Sequence, residues 1–410
     1  MKRRVVVTGM AGVTAMGRDY NTIEKQLKRG ENSIIYMPDW EVFHGLNTKL
    51  AGPVLDFEVP EYYTRKQIRS MGRVSKMATV ATEIALHQAK LLEQPVLTNG
   101  ETGIAYGSST GSTPPIVAFA NMVRENTTKG ITATSYVQMM PHTTPVNVGL
   151  FFGVKGRLIP TSSACTSSSQ AIGYSMESIR HGYQTAMIAG GGEELCPSEA
   201  AVFDTLFATS CKNSTPKKTP SPYDVNRDGL VIGEGVGTLI LEELDHAINR
   251  EAPIFAELVG FGTTCDAKHI THPDQTMMRK AMEMALKDAQ LKPQEIGYVS
   301  GHGTATEWGD IAETNATSTL FGPKIPFSSI KSFFGHTLGA CGALEAWFAI
   351  EMMNRKWFAP TLNLTEVDSR CGKLDYIMGE GRELDCQYVM SNNFGFGGIN
   401  TSLIFKKWNV

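Results

Sequence analysis

The sequence predicts an α/β protein built on a buried sheet, in one large unit with signs of internal duplication. Three observations carry this. Short apolar runs rich in β-branched residues alternate along the chain with longer stretches whose apolar residues recur at helical spacing. Forty glycines in 410 residues, more than the average usage of about 7% gives, imply many tight turns or close backbone approaches. Pro and Gly punctuation is scattered, with no low-complexity linker that would separate independent domains.

In chain order, Arg4 to Thr8 reads as a buried first strand that enters a glycine turn at Gly9 and Gly12. Lys76 to Leu91 reads as a helix, with Ala78, Ala81, Ile84, Ala85 and Leu91 on one face. Strands follow at Thr102 to Tyr106, Thr185 to Ala189 and Val236 to Glu242. A soft boundary lies at Glu251-Ala252-Pro253, after a charged, helix-like Glu242 to Arg250, and divides residues 1–250 from 251–410. Beyond it come strand Ile254 to Phe261, helix Met277 to Ala289, strand Tyr298 to Ser300 and strand Ser402 to Lys406. This order echoes the first half, although residue identity between the halves is too low for periodicity to establish a repeat.

Composition excludes several classes of function. Lys and Arg total 38 against 41 Asp and Glu, a formal charge of −3 with no basic tail, so nucleic acid is not the expected partner. The seven cysteines are odd in number and contain no C-x-x-C pair, which argues against a disulfide framework or a zinc site. No apolar run reaches the roughly 18 residues of a membrane span. Met1-Lys2-Arg3-Arg4 before three valines superficially resembles a signal peptide, but the Thr-Gly that follows fits a strand better, and a cytoplasmic location is expected.

The strongest local signal is the segment from Thr161 to Gly173, in which a single Cys165 sits among Ser, Thr and Ala just before an amphipathic run. Small neighbours permit a sharp strand-to-helix turn that places the sulfur at a helix N-terminus. There the helix dipole is expected to favour the thiolate and lower its pKa. A buried packing thiol is the bland alternative. Two histidines, His302 in Gly301-His302-Gly303-Thr304 and His336 in Phe334-Gly335-His336-Thr337, stand beside glycines at element ends. A cysteine with two such histidines forms a plausible nucleophile with its acid-base partners. Of the remaining histidines, only His269 and His272 are candidates for a pocket. The segment Ser391 to Asn400 is a glycine-rich loop able to present a backbone N–H as an oxyanion hole requires, or simply a hairpin before the last strand.

Together these segments resemble the β-ketoacyl-acyl carrier protein synthases, over nearly the whole chain, with Pro222-Tyr223-Asp224, Arg227-Asp228-Gly229 and Gly233-Glu234-Gly235 in agreement. The resemblance implies a thiolase-like fold of two similar halves stacked in five αβαβα layers, usually a homodimer. It implies a decarboxylative Claisen condensation: Cys165 takes an acyl group from an acyl carrier protein, and His302 and His336 assist decarboxylation of a malonyl thioester. Phe396 matches the oxyanion hole and an aromatic gate, and Lys331 supports the histidines through Glu345. On the substrate side stand Thr304, Thr306, Thr110, Glu345 and Asn400. No metal or redox cofactor is expected, since the substrates ride on phosphopantetheine. Arg65, Lys66 and Arg69, in a basic cluster with Arg73 and Lys76, match the carrier-docking surface, although such a cluster is as readily a solvated helix face.

Several positions depart from the family pattern. Thr110 stands where an apolar residue lines the acyl pocket, Gly301 replaces an Ala, Glu307-Trp308 follow Thr306, Ser70 replaces a docking lysine, and Arg157-Leu158 replaces Pro-Ser. These changes point to a specialised condensing enzyme, for polyenes or polyketides, as readily as to a housekeeping one. Two competitors share the fold: a thiolase using Cys341 or Cys386 as a second thiol, and a non-catalytic chain-length subunit, which Cys165 argues against. Such a subunit is also a possible heterodimer partner.

Overall fold

The computed structural model describes residues 3–409; Met1 and Lys2 of the basic N-terminal run lie outside them. Eleven strands form the main sheet: β1 (Val5–Thr14), β2 (Thr102–Gly107), β3 (Leu158–Thr161), β4 (Ala186–Glu193), β5 (Gly235–Glu243), β6 (Ala256–Cys265), β7 (Tyr298–Ser300), β8 (Pro326–Ser328), β9 (Asp375–Tyr376), β10 (Tyr388–Gly395) and β11 (Ile399–Lys407). Their order is β9-β8-β7-β10-β11-β6-β1-β5-β4-β2-β3. The two halves of this order repeat one topology. From the centre outwards, β1-β5-β4 pair antiparallel and β4-β2-β3 parallel; β6-β11-β10 pair antiparallel and β10-β7-β8 parallel. The halves meet where β1 pairs with β6 through Val6↔Glu257 and Val7↔Ala256.

Helices supply the other layers. Helix α1 (Arg73–Gln88) covers β1 and β5, and α4 (Gln275–Ala289) covers the matching β6 and β11. Between the half-sheets lie α2 (Ser167–Arg180) and α6 (Cys341–Arg355), which pack on each other and touch strands of both halves. Both are buried almost all round, as a middle layer must be. Three further layers around two half-sheets give the five-layered αβαβα stack. Two further helices shape the site: α3 (Pro197–Asp204) and α5 (Glu307–Phe321).

One sequence expectation is corrected. No glycine turn follows Thr8, because β1 runs on to Thr14 with a register shift between Val7 and Gly9. A Cβ on Gly9 would lie 2.1 Å from the Ala85 carbonyl of α1, and one on Gly12 2.4 Å from the Trp347 ring of α6. These glycines let helices close on the central strand from both faces.

Candidate active site

Cys165 enters the site from the turn between β3 and α2. Ala164, just before it, has φ +52°, a left-handed conformation that costs a residue with a Cβ about 1–2 kcal/mol and is least crowded for the smallest side chain. The strained turn brings Cys165 to the head of α2, where it is buried, 4% exposed. His336 lies on the far side of the site. Its N–H donates to the Val231 carbonyl at 2.7 Å, and Gly335 before it has φ +80°, so the loop after the Lys331–Phe334 turn is stapled to the N-terminal half. His302 follows β7. The sulfur and one ring nitrogen from each of these histidines lie within 4.8 Å of one another.

Hydrogen bonds fix the tautomers. His336 Nδ1 accepts from the Leu338 N–H at 3.3 Å, which leaves the proton on Nε2, 3.0 Å from Cys165 Sγ. His302 Nδ1 accepts from the Lys331 ammonium at 3.1 Å, so its proton is also on Nε2. Lys331 is itself paired with Glu345, both 1% exposed, and Asn393 Nδ2 donates to the other Glu345 oxygen at 2.6 Å. Burial first, then the Lys331 charge, hold both imidazoles well below the ordinary histidine range. They are therefore neutral donors at pH 7.

The expected low pKa of Cys165 is corrected. Burial pushes the thiol up, and the Phe396 backbone N–H and the Lys331 charge offset this only in part. Depth outweighs the helix terminus. The Phe396 and Cys165 N–H groups both favour negative charge at this point, which is what an oxyanion hole requires.

A cavity of about 530 Å³ opens onto Cys165, His302, His336 and Phe396. Thr304 and Thr306 line it, their hydroxyls 2.9 Å apart, as do His269, His272 and Trp308. Asn400 reaches the wall, but its amide donates to Asp266 Oδ1 at 2.6 Å and so anchors the glycine loop. Gly397 and Gly398 turn that loop at φ +90° and +79°, so it is both a hairpin and a donor of the Phe396 N–H. Glu345 and Thr110 do not reach this cavity. Glu345 stands behind Lys331 and acts through it, and the Thr110 N–H donates to Glu193 at 3.1 Å.

Arg65, Lys66 and Arg69 are exposed on one turn, and among the described residues none is ion-paired. Arg73 is removed from the basic cluster: its guanidinium grips Glu234 at 2.6 Å. Gly301 has a physical reason, since a Cβ there would lie 2.4 Å from the Tyr223 hydroxyl and 2.5 Å from Phe327. The Ser70 hydroxyl donates to Asn147 at 2.7 Å, and Arg157 lies over the Tyr183 ring at 4.0 Å. Cys341 lies closer to the centre than its place in the sequence suggests. Its thiol donates to the Cys165 carbonyl at 3.0 Å and does not line the cavity, so it is not placed as a second nucleophile.

Sequence reasoning missed the carboxylates that hold the loops. Glu313 of α5 accepts the N–H groups of His302 and Gly303, and Asp310 accepts those of Thr304 and Ala305 at 3.1 and 3.2 Å. Two acids three residues apart, one helical turn, just after the His302 loop were the available signal.

Comparison with known proteins places the chain in a family. The family described as β-ketoacyl synthase, N-terminal domain, matches residues 2–247, and its C-terminal domain matches residues 255–365. The 3-oxoacyl-[acyl-carrier-protein] synthase 1 of Haemophilus influenzae is 35% identical over 410 residues, covering 99% of this chain and all of that protein. A β-ketoacyl synthase from Burkholderia phymatum STM815, of known crystal structure, is 56% identical with a TM-score of 0.98 over the full length of both chains. The ketosynthase of a type II polyketide synthase, solved with its acyl carrier protein and bound to a hexaketide, is 28% identical with a TM-score of 0.88, also over both full lengths. The chain belongs to the β-ketoacyl synthase family.

Proposed function

We propose that this protein is a 3-oxoacyl-[acyl-carrier-protein] synthase that joins an acyl group held on Cys165 to a malonyl unit delivered by an acyl carrier protein. The single observation that carries the reading is the convergence of a buried cysteine with two neutral, Nε2-protonated histidines in one cavity. In the first step the Cys165 sulfur attacks the acyl thioester carbonyl, the carrier's C–S bond breaks, and the carrier thiol leaves with a proton. In the second, the malonyl C–C bond breaks with loss of CO₂. Its electron pair becomes an enolate whose oxygen accepts from His302 and His336 Nε2–H. The enolate carbon attacks the acyl-Cys165 carbonyl, the oxyanion accepts the N–H groups of Cys165 and Phe396, and the C–S bond to Cys165 breaks. Neutral, pre-aimed donors stabilise charge only as it develops.

Thr304 and Thr306 are assigned to the pantetheine arm, and Arg65, Lys66 and Arg69 to carrier docking. The halves 1–250 and 251–410 are assigned as the duplicated units, the first bringing the nucleophile and the second the histidines. A dimer is proposed, of two copies or with a ketosynthase-like partner. Seven unpaired cysteines support a reducing, cytoplasmic setting. Among the described residues no helix is long and apolar enough to cross a membrane.

The test is intact-protein mass spectrometry after incubation with acyl carrier thioesters. Wild type is expected to gain one acyl mass and Cys165→Ala none, with condensation abolished in the variant. Cys165→Gln is expected to retain malonyl decarboxylation, because the amide imitates the acylated cysteine. Condensation surviving in Cys165→Ala would refute the assignment.

A further inference from the structure

Three carboxylates crowd the end of β4, and they are treated very differently. Glu193 accepts from Ser108 Oγ and from the N–H groups of Ser109, Thr110 and Gly339, at 2.8–3.1 Å. Glu194 accepts from Val74 N–H, Ser112 Oγ, and the N–H and hydroxyl of Thr113, at 2.7–3.1 Å. Glu199, on α3, is buried too, 6% exposed, yet neither of its oxygens makes a hydrogen bond of normal geometry. Burial and then the Glu193 charge hold its carboxyl well above the ordinary 4.5, with only slight help from the Cys196 N–H. Its place in the first helical turn would favour the anion, but burial beside a second carboxylate outweighs that. Burial thus holds Glu199 towards its neutral form, in which it has one donor and one acceptor to offer, and such groups are normally satisfied.

Its surroundings say what could satisfy it. Strands β2, β3 and β4 are neighbours, in register through Gly107↔Gly191 and Gly107↔Thr161. Their ends deliver the Ser108–Thr110 loop, the Cys165 turn and the Glu193–Glu199 segment side by side. Phe203, four residues on from Glu199 and so on the same helical face, lines the cavity and meets Phe396 edge-to-face at 5.6 Å. Glu199 itself does not line that cavity; it lies one turn along α3 from the aromatic pair beside Cys165, next to Glu193, which pins the loop that carries Thr110.

We propose that Glu199 is the polar end of the acyl-binding chamber, and that this enzyme loads acyl chains bearing a hydroxyl or carbonyl oxygen in preference to plain saturated chains. The proposal rests on the condensing reading above and adds the substrate class. A site built to hydrogen-bond a substrate oxygen discriminates strongly against the chain that lacks it, because its own polar group is then left unpaired.

The test measures initial rates of Cys165 acylation by intact mass, on the full-length protein, with pantetheine thioesters of four to ten carbons, each with and without a terminal hydroxyl. Wild type is expected to favour the hydroxylated member at one chain length by about tenfold or more, the worth of one buried hydrogen bond. Glu199→Met is expected to erase that preference while keeping or raising the rate with the saturated chain, and Glu199→Gln, which can still donate and accept, to keep part of it. Equal rates with both members at every length in wild type would overturn the proposal, whatever the variants do. So would an unchanged preference in a folded Glu199→Met protein. No adduct from any donor defeats the condensing reading itself, and this proposal with it.

Discussion

At the end of β2 a carboxylate, Glu193, accepts the N–H groups of Ser109 and Thr110; at the end of β7, the matching strand of the other half, Glu313 accepts those of His302 and Gly303. The duplicated sheet thus places one carboxylate-pinned loop at the end of the matching strand in each half, of which the second lines the cavity. What differs is what each loop accompanies. In the first half the neighbouring strand ends lead to Cys165 and Glu199; in the second the pinned loop itself carries His302, and the neighbouring strand end leads to Lys331 and His336. On the proposed mechanism, one scaffold used twice brings the acyl-carrying cysteine from one half and the histidines of the malonyl step from the other.

The sharpest way to break this comparison is to remove the histidines. If the second half serves only the malonyl step, His302→Ala and His336→Ala should each lower condensation by about 10²–10⁴-fold and leave Cys165 acylation, read by intact mass, within a few-fold of wild type. Because burial holds both imidazoles well below 6.5, neither gains a proton between pH 7.5 and 6. Condensation by pre-acylated enzyme should therefore stay flat over that interval. A fall through pH 6.5 would show that these histidines titrate normally and are not the neutral donors described here.

A smaller effect sharpens the comparison by setting the two carboxylates against each other. Glu193→Gln and Glu313→Gln each turn an acceptor of backbone N–H groups into a half-mismatched one, costing about 1–3 kcal/mol and lowering the melting temperature by several degrees. Only Glu313→Gln should also slow condensation, because it releases the His302 loop. Its stability cost should depend on pH. Burial raises Glu313 from 4.5 to about 8, so folded protein keeps a proton that unfolded chain gives up. That contribution is complete below pH 4.5 and is lost as pH rises through about 8. The melting gap between wild type and Glu313→Gln should therefore be widest near pH 5 and narrow towards pH 8.

Much of the centre was legible in the sequence, because its signals are local. Cys165 is marked by small neighbours that permit a strained turn, and His302 and His336 by glycines that let loops approach a ligand. Strands β2 and β7 fall within a residue of the segments expected from β-branched runs. What stayed hidden depends on partners without a residue type. Glu193, Glu313 and Asp310 bind backbone N–H groups, which every loop offers, so no side-chain pattern announces them. The direction of the Cys165 shift is hidden for a related reason: a motif records the helix terminus beside the sulfur but not the depth of burial. Gly9 and Gly12 look like a turn in the sequence because close helix packing and tight turning ask for the same residue.

The weakest expected effect concerns the outer edge of the first half, and it separates two roles within one run of basic residues. The Thr64 capping box starts a single turn, Arg65–Ile68, on which Arg65, Lys66 and then Arg69 stand exposed, while Arg73 is committed to the buried Glu234. Exposed charge contacts are worth about 1 kcal/mol or less each. Lys66→Glu with Arg69→Glu should therefore raise KM for an acidic carrier protein only by about five- to thirtyfold, leave kcat and melting temperature unchanged, and lose the effect at high salt, where the Debye length falls to about 3 Å at 1 M. Arg73→Ala should behave in the opposite way, because removing one partner of a half-buried pair strands Glu234: the melting temperature falls and KM for the carrier stays as it was. If Arg73→Ala alone weakened carrier binding in a protein of unchanged stability, the docking surface would have to be redrawn one helical turn further along the chain.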